Sequence, residues 1–141
     1  MPMIDVYAEA GTFADPKALA QRLASTLMEV EGVPPLALFR ENTAAFVHEA
    51  TISNVNGAGD HVRVQVLTNA GALDRDKQLP AVARLTQVIS EAAGDEGLAA
   101  RTWVLLTETY DGGWGMGGHA NTNEEIVALA RAELSQDHAK T

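Results

Sequence analysis

The first pattern along the chain is an alternation. Ile4, Val6 and Ala8 fall on one face of the segment from Met3 to Glu9, which reads as a β-strand. Asp15 then has the character of a helix N-cap, with Pro16 at the first helical position, where its missing N–H costs nothing. Leu19, Leu23 and Leu27 follow at helical spacing. Gly32 ends this helix, and Pro34 and Pro35 block its continuation. A second strand fits Ala44 to Ile52, preceded by "LALFRE", which reads as a brief pairing segment or a loop. The stretch "SNVNGAGD", rich in Asn and Gly, is the clearest linker.

After the linker the same order recurs. Val62, Val64 and Val66 alternate in a strand, and Asp74 is again a candidate cap. A helix with Leu79, Val82, Leu85 and Ile89 ends at Gly94, and "RTWVLLTE" supplies another strand. Asp15 and Asp74 are separated by the same interval as Glu49 and Glu108, so the pattern predicts one β-α-β unit repeated twice within a single domain. The first unit with its linker spans 1–58, and the second, with a glycine-rich turn and a C-terminal helix, spans 59–141. A right-handed crossover makes the two strands of each unit parallel. The expected α/β architecture is therefore one mainly parallel four-stranded sheet with two helices on one face. A capping box, "TNEE" from Thr122 to Glu125, opens a short C-terminal helix carrying Ile126, Leu129 and Ala130, and the polar "SQDHAKT" is expected to fray. Pro80 conflicts with the second helix and predicts a kink or a later start. The strands are apolar on both faces, "WVLLT" above all, so the second sheet face needs cover, which self-association would supply.

Composition narrows the partners. The chain has 141 residues and a formal net charge of −9, which argues against nucleic acid or an anionic membrane surface as the main partner. An anionic ligand must then be held by local groups. The chain contains no cysteine, which excludes disulfides, thiolate metal sites and a Cys nucleophile. No apolar run reaches membrane-spanning length and the N-terminus lacks a signal-peptide pattern, so a cytoplasmic location is expected.

Candidate chemistry is sparse. Gly113, Gly115 and Gly118 fit G-x-G-x-x-G, but a dinucleotide site needs further βαβ structure and a distal acidic residue, for which little chain remains. A glycine-rich hairpin or turn with Trp114 as a packing residue fits better. His48, His61, His119 and His138 form no H-x-H or H-x-x-x-H pair, so no metal site and no cofactor is expected. His48 reads as a strand-face residue and His119 as a loop residue open to a site role. There is no G-x-S-x-G elbow and no defensible carboxylate dyad.

Pro2 directly precedes a strand. It is either an innocuous strand starter or significant for the amine it presents once Met1 is removed. The opening "MPMIDVYAEAGTF", the segment "VRVQVLTNAGALDRDKQL" and above all "RTWVLLTETYDGGWGMGGHANT" together resemble the tautomerase superfamily. They are similar to two fused units of the 4-oxalocrotonate tautomerase (4-OT) type, with the tautomerase and macrophage migration inhibitory factor-like fold this implies. The likeness spans most of the chain and is weakest from Pro34 to Thr43.

The resemblance implies that Pro2, freed of Met1, is a general base or acid acting on a small enolisable keto or unsaturated acid. A free α-amino group titrates near about pH 8, and burial together with nearby cations lowers that value further. With Met1 attached, the nitrogen is an amide without useful basicity. The resemblance also implies a homotrimer with a pocket at the boundary between units, and Trp114 as the aromatic residue that desolvates the amine. The family's usual arginines are missing from "AEAGTF" and "TNAGAL", and the second-strand position carries Trp103. Arg40, which interrupts an apolar run, is the preferred substitute over Arg63, Arg75 and Arg101, and Trp103 is expected to line the same wall as Trp114. These departures weigh against dicarboxylate substrates. Two other readings remain: a hydratase or dehalogenase variant needing a water-activating residue, and a non-catalytic binding or assembly module.

Overall fold

The computed structural model describes residues 1–140. The first unit consists of β1 (Met3–Ala8), α1 (Pro16–Glu31), a short α2 (Ala37–Glu41) and β2 (Ala44–Glu49). The second consists of β3 (Val62–Thr68), α3 (Arg75–Ala93), a 3₁₀ turn (Glu96–Arg101) and β4 (Thr102–Glu108). A hairpin of β5 (Trp114–Met116) and β6 (His119–Asn121) and a final α4 (Asn123–Ala139) complete it.

The caps sit where local chemistry places them. The Asp15 carboxylate accepts from the Ala18 N–H, and that of Asp74 from the Lys77 N–H, at 3.0 and 3.1 Å. Gly32 and Gly94 end α1 and α3 in the left-handed conformation, which glycine adopts without steric cost. α3 starts at Arg75 and continues through Pro80, so the proline removes one intrahelical hydrogen bond without delaying the helix.

The sheet order is β2-β1-β3-β4. β1 and β2 are parallel, as are β3 and β4, but the central pair β1–β3 is antiparallel, with Ile4 opposite Val66 and Val6 opposite Val64. The sheet is therefore mixed, which corrects the expected mainly parallel arrangement. The crossover rule fixes direction only inside each β-α-β unit. The linker between units carries no such constraint, and it returns the second unit related to the first by an approximate two-fold axis through the β1–β3 pair.

α1 and α3 lie side by side on one face of this sheet. Ile4 and Val6 of β1, Val62, Val64 and Val66 of β3, Leu23 and Leu27 of α1, and Leu85 and Ile89 of α3 are all essentially inaccessible and form the core. Each such leucine or isoleucine contributes about 1.5–3 kcal/mol relative to leaving it exposed. On α3 the inward stripe is Ala81, Leu85, Val88 and Ile89, whereas the expected Leu79 and Val82 are exposed.

Two further expectations also change. "LALFRE" contains helix α2 rather than a strand or loop. The C-terminal helix is long, running 17 residues to Ala139, so most of the tail expected to fray is helical, while Thr141 lies outside the described residues. The opposite sheet face is left open by the chain itself, exposing Phe46, Leu67, Trp103 and Leu105.

Candidate functional site at the amino terminus

Pro2 is fully buried at the start of β1. Lacking an N–H, it contributes to the sheet only through its carbonyl, which accepts from the Ala44 N–H at 3.2 Å. This fixes the chain's first peptide against the β2 edge and directs Met1 into a cleft.

Two polar residues meet the amino group there. The Met1 ammonium donates to Glu31 Oε2 at 3.1 Å and to Asn69 Oδ1 at 3.2 Å. The other oxygen of Glu31 accepts from the Thr68 hydroxyl at 2.7 Å. Glu31 and Thr68 are both buried. A buried carboxylate needs a cation and hydrogen bonds to be tolerated, and this one has both. Each of these residues continues an apolar stripe with a polar side chain. Glu31 follows Leu19, Leu23 and Leu27 on the inward face of α1, and Thr68 follows Val62, Val64 and Val66 on β3. That pair of interruptions was the sequence signal for this site.

The cleft holds about 300 Å³. It is lined by Met1, Glu31, Val33, Asn69 and Lys77, by Phe39 of α2, and by Ile126, Ala130 and Arg131 of α4. Lys77 donates from Nζ to the Glu31 carbonyl at 2.9 Å. Next to the cleft, Met1 joins Leu36, Phe39, Trp114 and Ile126 in an apolar cluster separate from the main core.

The hairpin delivers Trp114. Gly117 and Gly118 both have positive φ, as a tight two-residue hairpin turn requires, and the Asn121 amide donates to the Trp114 carbonyl at 3.1 Å. α4 is anchored at two points. The Thr122–Glu125 capping box holds its start, and Glu133 accepts from the Ala37 and Leu38 N–H groups at 2.8 and 3.1 Å, tying α4 to the N-terminus of α2. The Glu125 carboxyl is held below the usual carboxylate range, first by the Thr122 backbone N–H and then by His119.

The two units are not equivalent at this end. In the second unit Ala93 precedes the capping glycine where Glu31 does in the first, and His61 lies inside the chain at the position matching Met1. The corresponding pocket, with Glu9, Asp60, Asp95 and Arg101, therefore has no terminal amine, and Arg101 is paired to both Asp60 and Asp95.

Of the residues singled out in the sequence, Trp114 packs in the cluster with Met1, the residue before the buried Pro2. Arg40 lies elsewhere, bonded to the Pro35 carbonyl in a shallow groove with Gln21, Ser25 and Thr43. Trp103 is 47% exposed on the open sheet face and stacks on His61 with ring centroids 4.9 Å apart. Arg63 lies over the Tyr7 ring on that face, and Arg75 is exposed. Sequence reasoning missed Glu31, Asn69, Lys77 and Arg131. The last two look like ordinary surface cations until α3 and α4 converge on the cleft. His48 stacks on Tyr7 and bonds Asp5 at 2.7 Å, on a strand face as expected, and His119 pairs with Glu125. Among the described residues no cluster of three or more His, Cys, Asp or Glu is placed to hold a metal ion, and no helix is long and apolar enough to cross a membrane.

No family model and no curated protein matches the chain in sequence. Solved structures do match its fold. A structure of Pt0534 inactivated by 2-oxo-3-pentynoate is 17% identical, with a TM-score of 0.72 over 88% of this chain and 98% of that one. The F6 fused 4-OT, an asymmetric trimer, is 19% identical with a TM-score of 0.70 over 88% and 98%. N1, a member of the cis-3-chloroacrylic acid dehalogenase family, is 13% identical with a TM-score of 0.68 over 99% of both chains. This chain has the two-unit fold of the tautomerase superfamily.

Proposed function

We propose that this protein is a small isomerase in which the nitrogen of Pro2, freed by removal of Met1, carries a proton between carbon and oxygen of an enolisable keto or unsaturated acid. The observation that carries this reading is the burial of the amino terminus against Glu31 and Asn69 in a cleft with two cations at its rim. Met1 borders the cleft and shares one peptide bond with Pro2, so removing Met1 converts the Pro2 amide nitrogen into a secondary amine next to the space that Met1 leaves.

The chemistry then divides among the residues present. The Pro2 nitrogen takes a proton from the carbon next to the carbonyl. The C–H electron pair forms the carbon–carbon double bond, and the carbonyl oxygen becomes an enol oxygen and takes up a proton. The reverse sequence ketonises an enol. Lys77 and Arg131 supply the positive charge that the net field of the protein lacks, and so orient the substrate carboxylate. Trp114 and its neighbours exclude water, which strengthens every electrostatic contact inside. Glu31, which holds the Met1 ammonium while Met1 is present, is left one residue from the new amine as its nearest buried carboxylate.

A hydratase- or dehalogenase-type reaction is the second reading, favoured by one specific feature: Glu31 is a buried carboxylate next to the amine and is a candidate to activate water. If Met1 is retained instead, the ammonium–Glu31 pair is a structural anchor and the protein a binding or assembly module.

The open sheet face with Phe46, Trp103 and Leu105 supports a homotrimer, in which neighbouring copies cover that face. Light scattering should give three times the 14.9 kDa chain mass; a monomer contradicts this part of the proposal. The catalytic claim is tested by the reactivity of the terminal amine. An electrophilic ynone acid such as 2-oxo-3-pentynoate should add to Pro2, and a terminus that is blocked by Met1 or inert overturns the reading.

A further inference from the structure

The side chain of Met1 marks a slot. Met1 is only 1% exposed and packs in the apolar cluster with Leu36, Phe39, Trp114 and Ile126, while its amino group is held by Glu31 and Asn69. Its residue also borders the cleft. If Met1 leaves, as the Pro2 reading requires, the volume it fills opens onto that cleft, one peptide bond from the Pro2 nitrogen.

We infer that this slot receives the substrate's tail, so that the preferred substrates are monocarboxylic 2-oxo acids, or their enols, with an unbranched apolar tail about as long as a methionine side chain. The inference rests on the Pro2 reading and narrows it. The polar contacts are divided between two places. The cations Lys77 and Arg131 border the open cleft, and no ion pair or hydrogen bond engages the Arg131 guanidinium among the described residues. The Met1 side chain packs in a hydrophobic cluster with Leu36, Phe39, Trp114 and Ile126. A substrate carboxylate is therefore matched by the rim and an alkyl or thioether tail by the slot. A second carboxylate at the far end of the substrate would be buried without a partner, at a cost that apolar contact does not offset. Met1 itself shows that a flexible, unbranched chain of four heavy atoms fits this space.

The test is the rate of solvent deuterium incorporation at C3, followed by NMR, using protein whose intact mass shows Met1 removed. The acids are 2-oxobutanoate, 2-oxopentanoate, 2-oxohexanoate and 2-oxoglutarate. Enzymatic exchange moves the C3 proton to Pro2 and returns a solvent deuteron, so each acid reports on the same step. kcat/KM should rise about fourfold for each added methylene up to 2-oxohexanoate, whose four carbons beyond the carbonyl match the Met1 side chain. 2-Oxoglutarate should fall at least a hundredfold below 2-oxohexanoate. A series flat with length, or 2-oxoglutarate exchanged as well as 2-oxohexanoate, overturns the slot and leaves the Pro2 reading standing. Exchange of none of the acids above the protein-free rate overturns both.

Discussion

Pro2→Ala protein, with Met1 removed, is expected to ketonise phenylenolpyruvate about a hundredfold more slowly than the unaltered chain. Loss of a general acid or base altogether costs two to four orders of magnitude, typically. Alanine still presents an amine, so the loss should lie at the lower end. What alanine lacks is the ring, which fixes φ and with it the direction of the nitrogen lone pair. The nitrogen acts on the reacting carbon and holds no distal part of the substrate, so kcat should fall and KM should change little. Pro2 is also fully buried, and a purely structural role would show itself differently. The melting temperature would drop while the rate per folded molecule stayed the same. Equal rates on phenylenolpyruvate and on 2-hydroxymuconate would mean that the amine is not the base.

The second large effect is expected at Glu31. Its carboxylate accepts from the terminal ammonium and from Thr68, and both Glu31 and Thr68 are buried. In the chain that retains Met1, Glu31→Leu takes the carboxylate from a buried cation and a buried hydroxyl and leaves both with Asn69 Oδ1 as acceptor. Removing one member of a buried ion pair costs about 3–5 kcal/mol, which for a chain of this size lowers the melting temperature by roughly 10–17 °C. Glu31→Gln keeps an acceptor for Thr68 and roughly the same shape, and should recover part of the stability. Thermal unfolding followed by circular dichroism separates these cases. If Glu31→Leu melts as the unaltered chain does, the buried pair does not hold the terminus in solution.

Much of this architecture was legible in the sequence, because each signal had a local cause. Asp15 and Asp74 cap helices through their own side chains, Gly32 and Gly94 end them because only glycine takes that conformation freely, and alternating valines give β3 its buried face. The "GGWGMGG" turn is a hairpin for the same kind of reason. Strand direction across the unit boundary was not legible. Alternation states which face a residue occupies and is unaffected by reversing the strand. Helix α2 escaped notice because five residues are too few to display a period.

The site was half legible. Pro2 and Trp114 stood out as candidates by their resemblance to a known pattern. Glu31 was visible as an acid continuing a leucine stripe, a signal that acquires meaning only with Thr68, the equivalent interruption on β3. Lys77 and Arg131 could not be separated from other surface cations, because convergence of α3 and α4 on one cleft is a tertiary fact. Arg40 stood out by interrupting an apolar run, but that run is a short helix whose exposed side accommodates an arginine readily.

The most direct measurement is the mass of the N-terminal peptide after incubation with 2-oxo-3-pentynoate, borohydride reduction and proteolysis. The Pro2 nitrogen should add to the alkyne carbon remote from the carbonyl, with no leaving group lost. The account predicts a peptide that begins at Pro2 and carries one reagent molecule on that residue, with activity lost in proportion to labelling. A peptide that still begins with Met1, or an unmodified Pro2 in fully inactivated protein, would contradict it.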